Sequence, residues 1–409
     1  MLFRSKENPL PPLSLEEAVA YLKEHTHSIR ETLVLPIYEA AGYSLAEPVF
    51  ALHDQPPFPR SPFDGYAVRS CDTAGAGTQP AVLRVIGEVD AGGWFEGTVG
   101  PGEAVRIMTG APIPDGADAV IKQEETDLGE ETVTIFHEMR RLQNYIFPGE
   151  DFKKDSLLLP EGEKLGPVEI GILAGNGMSE VRVYRQPRAI VISTGDELTD
   201  AGLPLRPGKI YDSNRYTIAL QLKAWGCRVC GVFHSPDDPD TCADMIRGWE
   251  SRVDLIVTTG GVSVGKKDIM HDVYDRLGLC RIFWKVGIKP GAAMMAGRFG
   301  NTMVLSLSGN PYAAYVDLHM LVRPVISKLT GSNSLEMIRQ KAVLQDDYLR
   351  SSDRRRFVRC HVQDGKAVTE GHTGGNGDIA SGRHVNAMID IPAGSGPLHA
   401  GDEVTVILI

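Results

Sequence analysis

Apolar positions along the chain change rhythm three times. Near the start, Ser14-Leu15-Glu16-Glu17 spells a capping box and predicts a helix running to about His25. Prolines crowded into 55–62 then force an extended, turning path. Over 81–136 the apolar residues fall into short runs such as Val82, Val85, Val89, Val105, Ile107, Val120, Ile121, Val133 and Ile135. Gly and Pro separate these runs, which predicts a small β-rich domain over 51–147. A helical pattern returns over 166–178, with Pro167 in the first turn and Gly177 as the stop. The flanking segments, 1–50 and 148–180, are expected to form one discontinuous domain into which the β-rich segment is inserted.

From residue 188 the strands become continuously apolar. Ala189-Ile190-Val191-Ile192, 227–233, 254–259, 281–286 and 303–307 read as strands. Helices are expected after Ser213/Asn214, over 239–249, up to Leu277, and from Pro311. Buried strands alternating with helices predict an α/β domain over 181–330, built on a parallel sheet covered on both faces. The remaining residues, 331–409, return to short strands, among them 357–362, 388–392 and 404–409, with an Asp364-Gly365 hairpin turn. They are expected to close a small β-barrel. The fold class is therefore multidomain α/β.

Composition narrows the function. Lys and Arg number 42 against 53 Asp and Glu, a net charge of −11, which argues against a general nucleic-acid binder relying on a basic surface. No apolar run approaches the roughly 18–20 residues of a membrane span. Met1 to Lys6 lead into no apolar segment of a secretory signal, so a cytoplasmic location is expected. Six cysteines are too few for a disulfide framework. Cys227 and Cys230 sit on a predicted strand, where positions three apart face opposite ways, and no second pair completes a zinc site. His25 and His27, two apart on a helix, do not face each other either.

Ligands of open parallel sheets bind beyond the carboxyl ends of the strands. Four loops there combine glycine with polar or charged residues: Ser193-Thr194-Gly195-Asp196-Glu197, 260–268, Gly287-Ile288-Lys289-Pro290-Gly291 and Ser308-Gly309-Asn310-Pro311. Glycine lets backbone N–H groups approach an anion, and a following helix adds its dipole. The second loop, Gly260-Gly261-Val262-Ser263-Val264-Gly265-Lys266-Lys267, almost spells a P-loop. Lys267 stands where the P-loop hydroxyl would hold Mg²⁺, which demotes an NTPase to a minor alternative. Glu197, Asp237, Asp238 and Asp268 lie in or near these loops, together with Lys266, Lys285 and Lys289. Grouped carboxylates favour a hard divalent cation, and lysines an oxyanion, so metal-assisted chemistry on a phosphorylated or oxyanionic substrate is expected. A solvated rim of ion pairs is the simpler alternative.

At this point the chain resembles the bacterial molybdopterin molybdenumtransferases (molybdenum insertases), relatives of the eukaryotic gephyrin E-domain. The resemblance rests on the order and spacing of Ser61-Pro62-Phe63-Asp64-Gly65-Tyr66, Met108-Thr109-Gly110-Ala111-Pro112, Gly149-Glu150-Asp151, Thr194-Gly195-Asp196-Glu197, Tyr211-Asp212-Ser213-Asn214, Thr259-Gly260-Gly261-Val262-Ser263, Lys285 to Gly291, and Gly309-Asn310-Pro311. It implies insertion of molybdate into adenylylated molybdopterin, with Mg²⁺ and release of AMP. It also implies an elongated homodimer whose site joins the α/β domain of one subunit to the first two domains of the other, and a possible transient contact with the molybdopterin adenylyltransferase.

Carried over by position, Asp64, Asp151, Glu197, Asp237, Asp268, Lys285 and Lys289 match the family's functional residues, with Asp238 an equal alternative to Asp237. Glu197, Asp237 and Asp268 would hold the cation. Thr109, Gly110, Thr194, Gly195, Asp212, Ser213, Asn214, Gly260, Gly261, Ser263, Gly265, Ser308, Gly309, Asn310 and Pro311 would bind substrate. Three departures stand out: Ser308 replaces the first proline of the family's Leu-Pro-Gly-Asn-Pro loop, Ala292 follows Lys-Pro-Gly where many members carry a basic residue, and Phe63 replaces Met. They leave open a paralogue that takes tungstate. A non-catalytic pterin-binding scaffold is the alternative from another class.

Overall fold

The computed structural model describes residues 11–263, 268–331, 335–369, 377–378 and 380–409. They fall into two compact units, one drawn from Met1–Ala46, Gly162–Gly166 and Val181–Ile409, the other from Glu47–Glu161 and Pro167–Glu180. No helix among the described residues is long and apolar enough to cross a membrane.

The larger unit is built on a six-stranded sheet: β1 (Arg188–Thr194), β2 (Arg228–Ser235), β3 (Leu255–Thr259), β4 (Cys280–Trp284), β5 (Met295–Phe299) and β6 (Thr302–Leu307). Its spatial order is β2-β1-β3-β6-β5-β4. Strict alternation explains why β1 is apolar from Ala189 to Ile192. Ala189 and Val191 join a core that includes Leu22, Leu222 and Val316, while Ile190 and Ile192 join Cys242, Ile246 and Val273 on the other face. Helices Leu15–His25, Asn214–Ala224 and Pro311–Asp317 carry residues of the first core, and Pro239–Arg247 and Met270–Leu277 of the second, giving three layers. The capping box at Ser14 and Glu17 forms as the sequence predicts.

The sheet is mixed rather than purely parallel. β2, β1, β3 and β6 are parallel, whereas β5 runs antiparallel to both β6 and β4. Strand β5 was not expected, because Gly297 and small neighbours disguise it. A Cβ on Gly297 would stand 2.7 Å from a ring carbon of Tyr274, so glycine is what lets this helix residue pack against the strand. Gly300, with φ +58°, begins the tight Gly-Asn turn that joins β5 to β6. Helix Pro239–Arg247 stops two residues before the expected end.

Strands Arg339–Leu344, Arg355–Gln363, Lys366–Val368, Ala387–Ile391 and Glu403–Leu408 close on themselves as a five-stranded barrel. Asp364 and Gly365, both with positive φ, make the expected hairpin turn. The second unit holds a curled five-stranded sheet, ordered Ala119–Lys122, Gly65–Val68, Glu103–Ile107, Ala81–Val89 and Thr132–Ile135. Its strands also bury both faces: Tyr66 and Val68 enter one core, Ala67 the other. Helix Pro167–Gly175 belongs to this unit.

Candidate functional site

Five strand ends of the larger unit meet at one edge. β4 points the same way as β1, β2, β3 and β6, because two successive antiparallel pairings restore its direction. The loops after β1, β3, β4 and β6, together with Asp237 beyond β2, enclose a cleft of about 900 Å³. Glu197, Asp237, Asp268 and Lys289 line it, as do Thr194, Gly195, Asp212, Ser213, Asn214, Gly260, Gly261, Ser263, Ser308, Gly309, Asn310 and Pro311. One surface thus gathers charged and glycine-loop positions that are far apart in sequence. Gly265 and the P-loop-like Lys266 and Lys267 lie outside the described residues.

Polar side chains lace three of these loops together. The Asn214 amide donates to Thr259 Oγ1 at 3.0 Å and to the Gly309 carbonyl at 2.8 Å. Thr259 Oγ1 donates to the Ser308 carbonyl at 2.8 Å. Gly260 has φ +100°, and a Cβ there would stand 2.4 Å from the Thr194 carbonyl oxygen. Only glycine fits that crossing of the β1 and β3 loops. Beyond β4, Ile288 and Lys289 pair with Arg355 and Arg356, so a barrel strand holds the fourth loop.

The acidic side chains differ in what already occupies them. Asp237 and Asp196 each accept the other's backbone N–H, at 3.2 Å in both directions. Asp238 instead caps Pro239–Arg247, accepting from the Thr241 N–H at 2.8 Å and the Thr241 hydroxyl at 2.6 Å. Those bonds hold its carboxyl below the usual value. Of the two aligned aspartates, Asp237 lines the cleft and Asp238 is a helix cap. Asp212 is buried against Arg215, 3.1 Å away, and accepts that residue's backbone N–H, whereas Ser213, the expected cap, makes no capping bond. Lys285 is not part of the cleft lining; its ammonium lies 4.1 Å from the centre of the Trp284 ring, a cation–π pairing that the sequence did not signal.

No three His, Cys, Asp or Glu side chains among the described residues come together as a metal cluster, so the expected grouping of Glu197, Asp237 and Asp268 is a shared lining rather than a closed cage. The donor chemistry still suits Mg²⁺. That ion binds through one or two carboxylates, waters and substrate phosphates rather than an all-protein cage, and this cleft offers oxygen donors beside glycine loops.

In the second unit, Asp64 Oδ1 accepts the Thr109 N–H and the Thr109 hydroxyl, both at 2.7 Å. These bonds hold the Asp64 carboxyl below its ordinary value. Gly110, with φ +84°, donates its N–H to the Ser61 carbonyl and closes the same corner. Asp151 is exposed on another turn of this unit, its N–H bonded to the Gln55 carbonyl.

Two charged lining residues escaped the sequence reading: Asp353 and Arg354, from the segment leading into the barrel strand Arg355–Gln363. The available signal was the Arg354-Arg355-Arg356 run before an apolar strand. Arg355 is taken up by Asp390 and Glu16, and Arg356 donates to Tyr348, while Arg354 reaches the cleft.

Three family models cover the chain: "MoeA N-terminal region (domain I and II)" over 13–177, "Probable molybdopterin binding domain" over 190–328, and "MoeA C-terminal region (domain IV)" over 341–409. The molybdopterin molybdenumtransferase of Bacillus subtilis is 36% identical over 406 residues, covering 97% of this chain and 94% of that protein. The chain belongs to the molybdopterin molybdenumtransferase family. The molybdenumtransferase of Staphylococcus epidermidis is 34% identical over 402 residues, with 97% and 96% covered. A crystal structure of a molybdopterin biosynthesis moeA protein from Pyrococcus horikoshii superposes with TM-score 0.84 at 29% identity, covering 98% of this chain and all of that one. In this molybdenumtransferase family member, Glu197, Asp237, Asp268, Lys289 and the Ser308–Pro311 loop fall within the molybdopterin-binding segment. Asp353 and Arg354 fall in the C-terminal region, and Asp64, Thr109 and Asp151 in the N-terminal one.

Proposed function

We propose that this protein inserts molybdate into adenylylated molybdopterin, releasing AMP with the help of Mg²⁺, as a late step of molybdenum cofactor biosynthesis in the cytoplasm. Molybdenum insertion into molybdopterin is the activity of the family to which the chain belongs. The observation that carries the finer reading is the convergence of Glu197, Asp237, Asp268 and Lys289 with glycine loops in one cleft.

The glycine-rich turns at 260–263 and 308–310 offer backbone N–H groups to phosphate and oxyanion oxygens. Lys289 holds a tetrahedral oxyanion as a point charge and stabilises negative charge that develops on the departing phosphate. Arg354 adds a second cation on the barrel side, where Ala292 supplies none. Glu197, Asp237 and Asp268 would hold Mg²⁺, which when bound supplies charge neutralisation at the phosphate bond. Asn214 and Thr259 keep the loops at fixed spacing, so little reorganisation is needed as charge builds.

The reading includes the four-part division into 1–50 with 148–180, 51–147, 181–330 and 331–409. It also includes a homodimer in which Asp64 and Asp151 serve the cleft of the other subunit. The dimer and these two roles are supported by the family resemblance.

Purified protein given adenylylated molybdopterin, molybdate and Mg²⁺ is expected to release AMP. Glu197→Ala and Asp268→Ala should each lower that rate at least ~100-fold without unfolding the protein. Near-normal turnover in both variants would remove the role given to the carboxylates. Tight pterin binding with no AMP from the unaltered protein would make it a scaffold.

A further inference from the structure

Ser308 opens the turn after β6, and it is buried. A proline there has no N–H and a fixed φ; a serine brings a donor that needs an acceptor and a freer backbone. The acceptor is present. Asp317, the last residue of helix Pro311–Asp317, is fully buried and takes the Ser308 N–H on Oδ2 at 3.2 Å. Its other oxygen, Oδ1, makes no hydrogen bond. That atom faces the loop after β4: a Cβ on Gly291 would stand 2.2 Å from it, and Gly291 has φ +98°. One side chain therefore touches two loops of the cleft, the Ser308–Pro311 turn and the end of the Lys289-Pro290-Gly291 loop.

We propose that Asp317 is a positioning residue that fixes the Ser308–Pro311 turn against the Lys289–Gly291 loop, so that their anion-facing groups keep one spacing. The residue touches no substrate itself. The proposal rests on the reading of the cleft as the molybdate site. Three other side-chain ties hold this turn: Thr259 on the Ser308 carbonyl, Asn214 on the Gly309 carbonyl, and the Ser308 hydroxyl accepting the Asn310 N–H at 3.3 Å. The bond from Asp317 reaches a backbone N–H that proline would not have.

Burial raises the Asp317 carboxyl well above the usual carboxylate range, with the Ser308 N–H opposing the shift. A neutral acid is the form that tolerates an oxygen lacking a partner beside a glycine Cα. The pairing also accounts for both sequence oddities together: an acidic residue inside an apolar helix, and a glycine whose Cβ position is taken by that acid's oxygen. Leu307 ends a β-strand, and extended backbone is what a following proline prefers, so position 308 can take a proline without rebuilding the strand.

The test is a rescue. Asp317→Asn keeps an acceptor at neutral charge and should leave the molybdate KM near that of the native protein. Asp317→Ala should raise that KM about 3- to 10-fold, the loss of one buried hydrogen bond, with kcat changed less. Adding Ser308→Pro to Asp317→Ala should bring KM back to within about 2-fold, because the unpaired donor is gone and the turn is stiffened again. If Asp317→Ala does not fold, Asp317→Val, which keeps more volume without an acceptor, carries the same expectations. Amide hydrogen exchange at Ser308 should quicken in the Ala or Val variant and not in the Asn variant; this readout holds even if the unaltered protein proves to release no AMP, a result that would sink the molybdate reading alone. An unchanged molybdate KM and unchanged Ser308 exchange, with only a lowered Tm, would show Asp317 to be a packing residue. A deeper loss on adding Ser308→Pro would overturn the proposal as well.

Discussion

The rim of the cleft and the helical layer that follows β6 handle charge in opposite ways. At the rim, Lys289 is exposed, and the carboxylates of Asp196 and Asp237 accept backbone N–H groups at the surface. In Pro311–Asp317 and the helical turns after it, Asp317, His319 and Arg323 are buried and made neutral or fully bonded. Asp317 is pushed up by burial, and His319 is pushed down to about 3 by burial first and the Arg323 charge second. Arg323 stays a cation by donating to three carbonyls, those of Leu335, Glu336 and Leu408. Charge left at the rim is available to a ligand, whereas polarity in the layer beneath serves the geometry of the rim.

The largest expected effect comes from breaking the rim's backbone. Gly260→Ala places a Cβ against the Thr194 carbonyl at a left-handed φ, where no side-chain motion relieves it. It should cost about 3 kcal/mol or more of unfolding free energy in urea and abolish AMP release.

Such rim glycines were legible in the sequence because a glycine beside a polar residue after an apolar strand carries its own signal. Much of the sheet was legible for a related reason: Ala189 to Ile192, Leu255 to Val257 and Met303 to Leu305 are unbroken apolar runs, as central strands buried on both faces require. The buried layer was not legible. Asp317 and His319 interrupt an apolar run, but only the three-dimensional packing shows that they are taken out of water rather than turned towards it. The stretch Leu318–Val322 is a π-helical turn, a register that periodicity of 3.6 does not anticipate. Strand β5 and the barrel residue Arg354 were hidden similarly, the first by Gly297 and the second by distance along the chain.

A smaller effect sharpens the contrast from below. His319 is held neutral with its folded pKa, about 3, beneath the ordinary 6.5, so the unfolded chain takes up the proton first. Its contribution to stability is complete above about pH 6.5 and is lost as pH falls from there through about 3. Asp317, shifted upward, acts with the opposite sign. It favours the fold below its ordinary carboxyl value and loses that contribution as pH rises through its folded value. His319→Phe should therefore flatten the decline of unfolding free energy between pH 6.5 and 4 by on the order of 1–3 kcal/mol, followed by urea denaturation at each pH. An unaltered slope would show that His319 is not held neutral by burial. The smallest stability effect belongs to the rim: Glu197→Gln should move unfolding free energy by no more than about 0.5 kcal/mol while its AMP release collapses.

The account stands most directly on where the oxyanion sits. A crystal soaked in molybdate or tungstate, with the heavy atom located by anomalous scattering, should place it in the cleft between Lys289 and the Ser308–Pro311 turn. Heavy-atom density confined to other surfaces, with this cleft empty at saturating oxyanion, would contradict the account.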